Sequence, residues 1–245
     1  MAMTDGIGSS FDPDRIAAVR ARLDKSGQPV SRPSGLTPRG ASAAALKLLW
    51  QRAIVLTLGF TALLYGVLGI DALDHHDLDQ VGGVRPRTGE GLTGIVFAPL
   101  LHSGLPHLLG NTLPVIVLGM LTLLTGIARG LTATAIVWVI AGFGTWVIGQ
   151  SGTTNIGASV LVFGWLTYLI SRGFFARNVW QILIGVVVGL LYGSILWGIL
   201  PGQVGISWQG HLFGAVGGVV AGWVLSGDER RHRRGGRAGR LPSAG

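Results

Sequence analysis

The chain has 245 residues, of which 49% are hydrophobic and only 12% charged, with a mean hydropathy of +0.54. A soluble globular domain carries about 25% charge, so a soluble single domain is excluded as the simplest reading. Cysteine is absent, which removes disulfides, thiol catalysis and cysteine-ligated metals. The net charge of +8 points to nucleic acid only until its distribution along the chain is followed.

The first 45 residues are polar, basic and rich in proline and serine, and read as a mostly flexible arm without the short basic head and apolar core of a signal peptide. Within it, Asp12-Pro13 followed by Ile16, Val19 and Leu23 suits a short amphipathic helix. Residues 46–226 then contain six apolar stretches, at 46–70, 105–125, 131–149, 157–171, 179–200 and 206–226. Most approach the ~20 residues needed to cross a hydrocarbon core of about 30 Å. They are apolar nearly all round, unlike the one-sided stripe of a soluble helix. A basic tail, 227–245, closes the chain. The expected fold is all-α: six transmembrane helices with a short, central fourth.

Basic residues fall in the arm, in the tail and, as Arg129, Arg172 and Arg177, in the connections after the second and fourth spans. With six crossings all of these share one side, leaving Arg85 and Arg87 on the other. The positive-inside rule therefore predicts a multi-pass protein of the plasma membrane with both termini cytoplasmic. The basic tail is expected to meet anionic lipid head groups and not nucleic acid.

Between the first two spans, residues 71–104 carry five acidic residues and form an external loop too long for a bare tether. A partly ordered structure at the membrane edge is expected there. His75-His76 within it read as part of a solvated acidic surface, with no metal site implied. The second span opens with His102, His107 and Asn111, the latter two one helical turn apart, and Pro114 further along is placed to kink it. The fourth span, taken as 15 residues, would reach only about 22 Å. The polar linker before it must then dip into the membrane, which requires protein or a water-filled cavity around it. Ser159 stands in the first turn of that span, on the expected cavity floor. His211 lies about 8 Å below the outer end of the sixth span. Gly210, Gly214, Gly218 and Gly222 repeat every fourth residue on that span, a pattern that lets membrane helices approach closely.

A histidine retained inside a membrane span is a functional-site candidate. All eleven acidic residues lie outside the spans and no H-E-x-x-H motif is present. For a hydrolase in the membrane, Ser159 and His211 are thus the nucleophile–base pair on offer. His107 and Asn111 are suited to donate to a tetrahedral oxyanion, or alternatively to bond the external loop as ordinary helix-end groups. Transport has less support: the spans hold no acidic residues and no internal repeat is visible.

These features together resemble the rhomboid intramembrane serine proteases over roughly residues 46–226. The likeness rests on H-x-x-x-x-H-x-x-x-N (His102, His107, Asn111), the G-x-S element (Gly157, Ser159) and the histidine-with-glycines pattern of the last span (His211, Gly214, Gly218). The resemblance implies Ser159 as nucleophile and His211 as general base. It assigns His107, Asn111 and the Ser159 backbone N–H to the oxyanion hole, and requires no cofactor or metal. Its implied substrates are transmembrane helices of other proteins, unwound near the outer face and cut after a small residue. An inactive relative that binds membrane-protein clients is the alternative. Two departures bear on that choice. Val160 stands where the family motif has glycine, so a β-branched side chain either presses on the dyad or is met by adjusted neighbouring helices. The Trp-Arg pair common in the family's external loop is missing, Gly94 standing eight residues before His102. Oligomeric state leaves no sequence signal.

Overall fold

A computed structural model describes residues 38–73, 77–203 and 205–227. The expected amphipathic helix of the arm, His75-His76 and the basic tail from residue 228 lie outside the described residues. The chain divides after Ala44, and the account below concerns the unit from Ala45 onward.

Its elements are α1 (Pro38–Leu73, entering from the preceding unit), α2 (Asp77–Val81), α3 (Gly94–Phe97), α4 (Leu105–Leu124), α5 (Ile127–Ile148), α6 (Ser159–Ala176), α7 (Val179–Tyr192) and α8 (Trp208–Leu225). Short 3-10 turns at Glu90–Leu92 and Ala98–Leu100 flank α3, and a third, Gly193–Ile199, continues α7. Among the described residues, five helical segments are long and apolar enough to cross a membrane: Ser42–Leu73, Leu105–Leu124, Ile127–Ile148, Ser159–Ala176 and Val179–Ile199. The sixth, α8, has 18 residues like α6, but Gln209, His211 and its glycines dilute its hydropathy. Among the described residues the result is an all-α bundle of six long helices.

Several boundaries differ from the sequence expectation. The first helix begins at Pro38, inside the segment read as arm; proline suits a first helical turn and the alanine-rich run after it propagates the helix well. The fourth span does not stop at Ser171: α6 runs 18 residues to Ala176, about 27 Å. Arg172 marks the expected end, yet its guanidinium lies over the Tyr168 ring, 5.6 Å from the centroid, so the charge is accommodated within the helix. The chain turns only where Arg177 adopts a left-handed conformation, φ 52°. Asn178 then caps α7, its side chain accepting from the Trp180 N–H. The central position of α6 is as expected. Fifty-six per cent of its apolar length is buried, against 28% for α1 and 11% for α7 with the turn that continues it.

The α6–α8 pair is built backbone to backbone. A Cβ at Gly214 would collide with the Val160 carbonyl, and one at Gly218 with the Gly164 carbonyl. Thr167 Oγ1 adds a 2.8 Å hydrogen bond to the Ala215 carbonyl across the seam. On its other side α8 meets α5, where a Cβ at Gly217 would stand 2.9 Å from the Val137 Cα. These contacts place Leu161, Leu166, Val137 and Ala221 in one apolar core with Leu64 of α1 and Leu118 of α4.

The described part of the loop before α4, from Asp77 onward, folds onto the bundle. Val84 and Asn155 form an antiparallel bridge, with N···O distances of 2.9 and 3.0 Å. The Arg87 N–H donates to the Trp146 carbonyl and its guanidinium to the Val147 carbonyl and Ser151 hydroxyl. Trp138 Nε1 donates to the Ile95 carbonyl at 2.8 Å. The loop therefore ties α5 to the strand-like linker before α6 and fixes how that linker enters.

Candidate active site

The linker reaches Ser159 through Gly157, whose φ of 119° is open to glycine and strained for other residues. Its N–H donates to the Ala98 carbonyl at 2.9 Å. A side chain there would also stand 2.9 Å from His107 Nε2, so the bare Cα is what lets that imidazole approach the serine. Next, the Ala158 N–H donates to His102 Nε2 at 3.4 Å. Ser159 is then the first residue of α6, and no side chain caps this helix end. Its first-turn N–H groups keep the partial positive charge of a helix N-terminus.

His211 enters from the first turn of α8, held by Ser207, whose side chain accepts from the Gly210 N–H. The glycine seam below draws α8 onto α6, and the Ser159 hydroxyl and His211 Nε2 stand 2.8 Å apart. The other ring nitrogen, Nδ1, stands 2.9 Å from the Gly198 carbonyl. That pairing makes Nδ1 the protonated nitrogen and leaves Nε2 to accept from the serine. Phe163, one turn along α6 from Ser159, stacks on the imidazole with centroids 4.1 Å apart and planes 12° from parallel.

His107 and Asn111 line the same cavity as Ser159 and His211, a space of about 660 Å³. The Ser103 hydroxyl lies 3.2 Å from His107 Nδ1. A hydroxyl donating there leaves the proton on Nε2, the nitrogen beside Gly157. Asn111 donates its amide to the His107 carbonyl one turn back at 3.3 Å. His102 is buried beneath, its ring edge-on to that of His107 with centroids 5.0 Å apart. Burial, and secondarily His107, hold the His102 imidazole down to about 4, while the Leu100 carbonyl works the other way. Neutral His102 is what allows Nε2 to accept from Ala158.

Val160 is accommodated. A Cβ at Gly210 would stand 3.1 Å from its Cγ1, so glycine on α8 provides the space that valine on α6 takes, and the serine–histidine contact is kept. Arg85 and Arg87 bond within the loop region, Arg85 to Glu90 at 2.8 Å and Arg87 to α5 and the linker; neither lines the cavity. Of the expected site residues, Ser159, His211, His107 and Asn111 share one cavity, Gly157 and His102 support it, and Gly214 and Gly218 set the helix spacing.

Sequence reasoning missed three partners. Phe163 had a usable signal, its position four residues after Ser159. Ser103 had a similar one, four before His107. The Gly198 carbonyl had none, since every residue carries one.

Two regions border the cavity. A second space of about 790 Å³, lined by Asp79, Gln80, Gln150, Thr153 and Gln209 among others, adjoins it at Ser103, His107 and Ser207 and leads to the loop side of the bundle. Laterally, the lining passes from Gly110 and Pro114 of α4 to Ser194 and Trp197 of the 3-10 turn. α7 packs on α6 and not, as a helix pair, on α4.

A family model described as the rhomboid domain matches residues 89–228. Uncharacterized proteins of Mycobacterium tuberculosis and Mycobacterium bovis are each 47% identical over 218 residues, covering 86% of this chain and 90% of theirs. An uncharacterized protein of Mycobacterium leprae is 46% identical over 195 residues, covering 76% of this chain and 77% of its own.

Proposed function

The chain belongs to the rhomboid family, and from that premise we propose that it is an intramembrane serine endopeptidase that cuts transmembrane segments of other membrane proteins. The observation that carries the reading is the 2.8 Å contact between the Ser159 hydroxyl and His211 Nε2 inside a cavity with a polar route to the loop side.

In this reading Ser159 Oγ attacks the carbonyl carbon of the scissile peptide while its proton passes to His211 Nε2. The oxyanion is received by the Ser159 N–H, by His107 Nε2–H and by the Asn111 amide, which turns from its helix carbonyl to do so. The C–N bond then breaks and the leaving amine takes the proton from His211. Water arriving through the polar vestibule attacks the acyl-enzyme, and the dyad repeats the transfer. The chemistry calls on no metal or cofactor.

The lateral gap between α4 and the 3-10 turn supports a substrate that arrives from the lipid, since a transmembrane segment does not leave the bilayer cheaply. The tail-side positions of Arg129, Arg172 and Arg177 support a plasma-membrane orientation with both termini cytoplasmic and the cavity facing outward. Val160 favours the alternative of an inactive client-binding relative, but its fit against Gly210 with the dyad contact kept supports the active enzyme.

The test uses purified protein in lipid vesicles, offered a fluorophosphonate probe and a transmembrane substrate. Labelling and cleavage are expected from the native chain. Both should fall by at least about a thousandfold in Ser159→Ala and in His211→Ala. A native chain that captures substrate without cutting or labelling would overturn the reading in favour of client binding.

A further inference from the structure

We propose that Gly198 is the positioning residue of the base: its carbonyl fixes His211 in the orientation and tautomer that accept the serine proton. The proposal rests on the protease reading above.

A histidine can serve as base to a serine only with Nε2 free and Nδ1 protonated, and something must hold it so. Triads use a carboxylate for this. Here no acidic residue lines the cavity, and the acceptor 2.9 Å from Nδ1 is the Gly198 carbonyl. A carbonyl takes no proton near neutral pH, so it selects the tautomer without competing for the charge. Phe163 holds the ring plane from one face, and the carbonyl fixes rotation within that plane.

Position 198 must be glycine for this contact. An added Cβ would stand 2.8 Å from the Phe163 ring and 3.2 Å from His211 Nδ1, pushing the carbonyl off its partner. The carrier is also unusual. The Gly193–Ile199 turn has no buried residue, Trp197 beside Gly198 is 69% exposed, and the turn continues the span with the least burial. Serine and imidazole sit on the tightest helix pair, while the group that aligns the imidazole sits on the loosest element, at the rim of the lateral gap. Displacement of the turn therefore releases the base, and the dyad is aligned only when the turn rests against α8.

The experiment compares Gly198→Ala with Gly193→Ala, a position in the same turn where a methyl meets nothing within 4 Å. Gly198→Ala is expected to lower kcat and the fluorophosphonate labelling rate by about tenfold or more, with KM unchanged. Gly193→Ala should match the native chain. Nitrogen-15 NMR of histidine-labelled protein, with His211 assigned by its loss in His211→Gln, should show a protonated Nδ1 in the native chain and a mixture of tautomers in Gly198→Ala. Should the methyl unfold the turn, the native chain still decides: a His211 signal with Nδ1 unprotonated overturns the proposal. Native-rate labelling by Gly198→Ala, or an unchanged His211 tautomer signal, overturns the proposal. A native chain that never labels overturns the protease reading instead, and the tautomer signal still decides the role of Gly198.

Discussion

α6 and α7 are consecutive spans of comparable length, yet they are built for opposite purposes. α6 is buried over most of its surface and meets α8 through glycines with carbonyls pressed against bare Cα atoms. α7 touches the bundle along one face, through Gly185 and Gly189 against Ile170 of α6, and leaves Leu183, Val187, Leu190 and Leu191 exposed. Hydrocarbon outside and inside the protein are alike to a leucine, so apolar surface alone does not hold membrane helices together. What holds α6 to α8 is close packing along the helix and the Thr167 hydrogen bond; α7 meets α6 closely near their connection, at Gly173 and Gly185, and is exposed on its other faces. Groups that must keep a fixed separation stand on the first pair, and the element bordering substrate access is the second.

The strongest way to break that contrast is to put a side chain into the seam. Gly218→Val forces the valine into the Gly164 carbonyl and is expected to cost more than about 3 kcal/mol and to abolish probe labelling. Gly189→Val on α7, where a Cβ would lie 3.6 Å from Ile170 Cδ1, should change stability by less than about 0.5 kcal/mol. Thermal unfolding in detergent compares the two, and equal losses would erase the distinction.

Acid tests the support beneath the site. His102 is held near 4 in the fold against an ordinary value of 6.5, so the unfolded chain binds more protons between those values. The stabilisation is fully present above about pH 6.5 and is lost as pH falls toward 4, on the order of 3 kcal/mol in all. Unfolding midpoints at about pH 7 and about pH 5 should reveal it, and His102→Gln should flatten the dependence.

Val160→Gly restores the family's usual residue and is nevertheless expected to reduce labelling and to lower stability by about 1–2 kcal/mol, because it empties the space against Gly210. Gly210→Ala added to it should return part of the loss. A rise in labelling on Val160→Gly would show instead that the valine restrains the dyad.

Smallest of all, Glu90→Gln removes an exposed ion pair with Arg85 and should move stability by less than about 0.5 kcal/mol, readable as an unchanged unfolding midpoint.

The six helices were legible because the spans are apolar all round, and Ser159 and His211 because polar groups inside such runs stand out. Their ends were less so. Arg172 looks like a boundary in sequence, but its long side chain lies along Tyr168 and the helix continues beneath it. That the fifth span changes to a 3-10 turn at Gly193 has no comparable mark in the sequence. The role of Gly157 could be inferred only as a motif; its positive φ and the imidazole packed against it supply the cause. Glycine 198 illustrates the harder case, where the chemically relevant atom belongs to the main chain and only folding decides what faces it.

The glycine seam also bears on descent. Gly214, Gly218 and Gly222 are demanded by how two helices meet, whether or not a peptide is ever cut between them. A lineage that lost its nucleophile would stay under the same steric selection at those positions and would go on being recognised by its pattern. Surveys that count such patterns in genomes are therefore counting scaffolds, and a census of the living enzymes has to be taken at the serine and histidine instead.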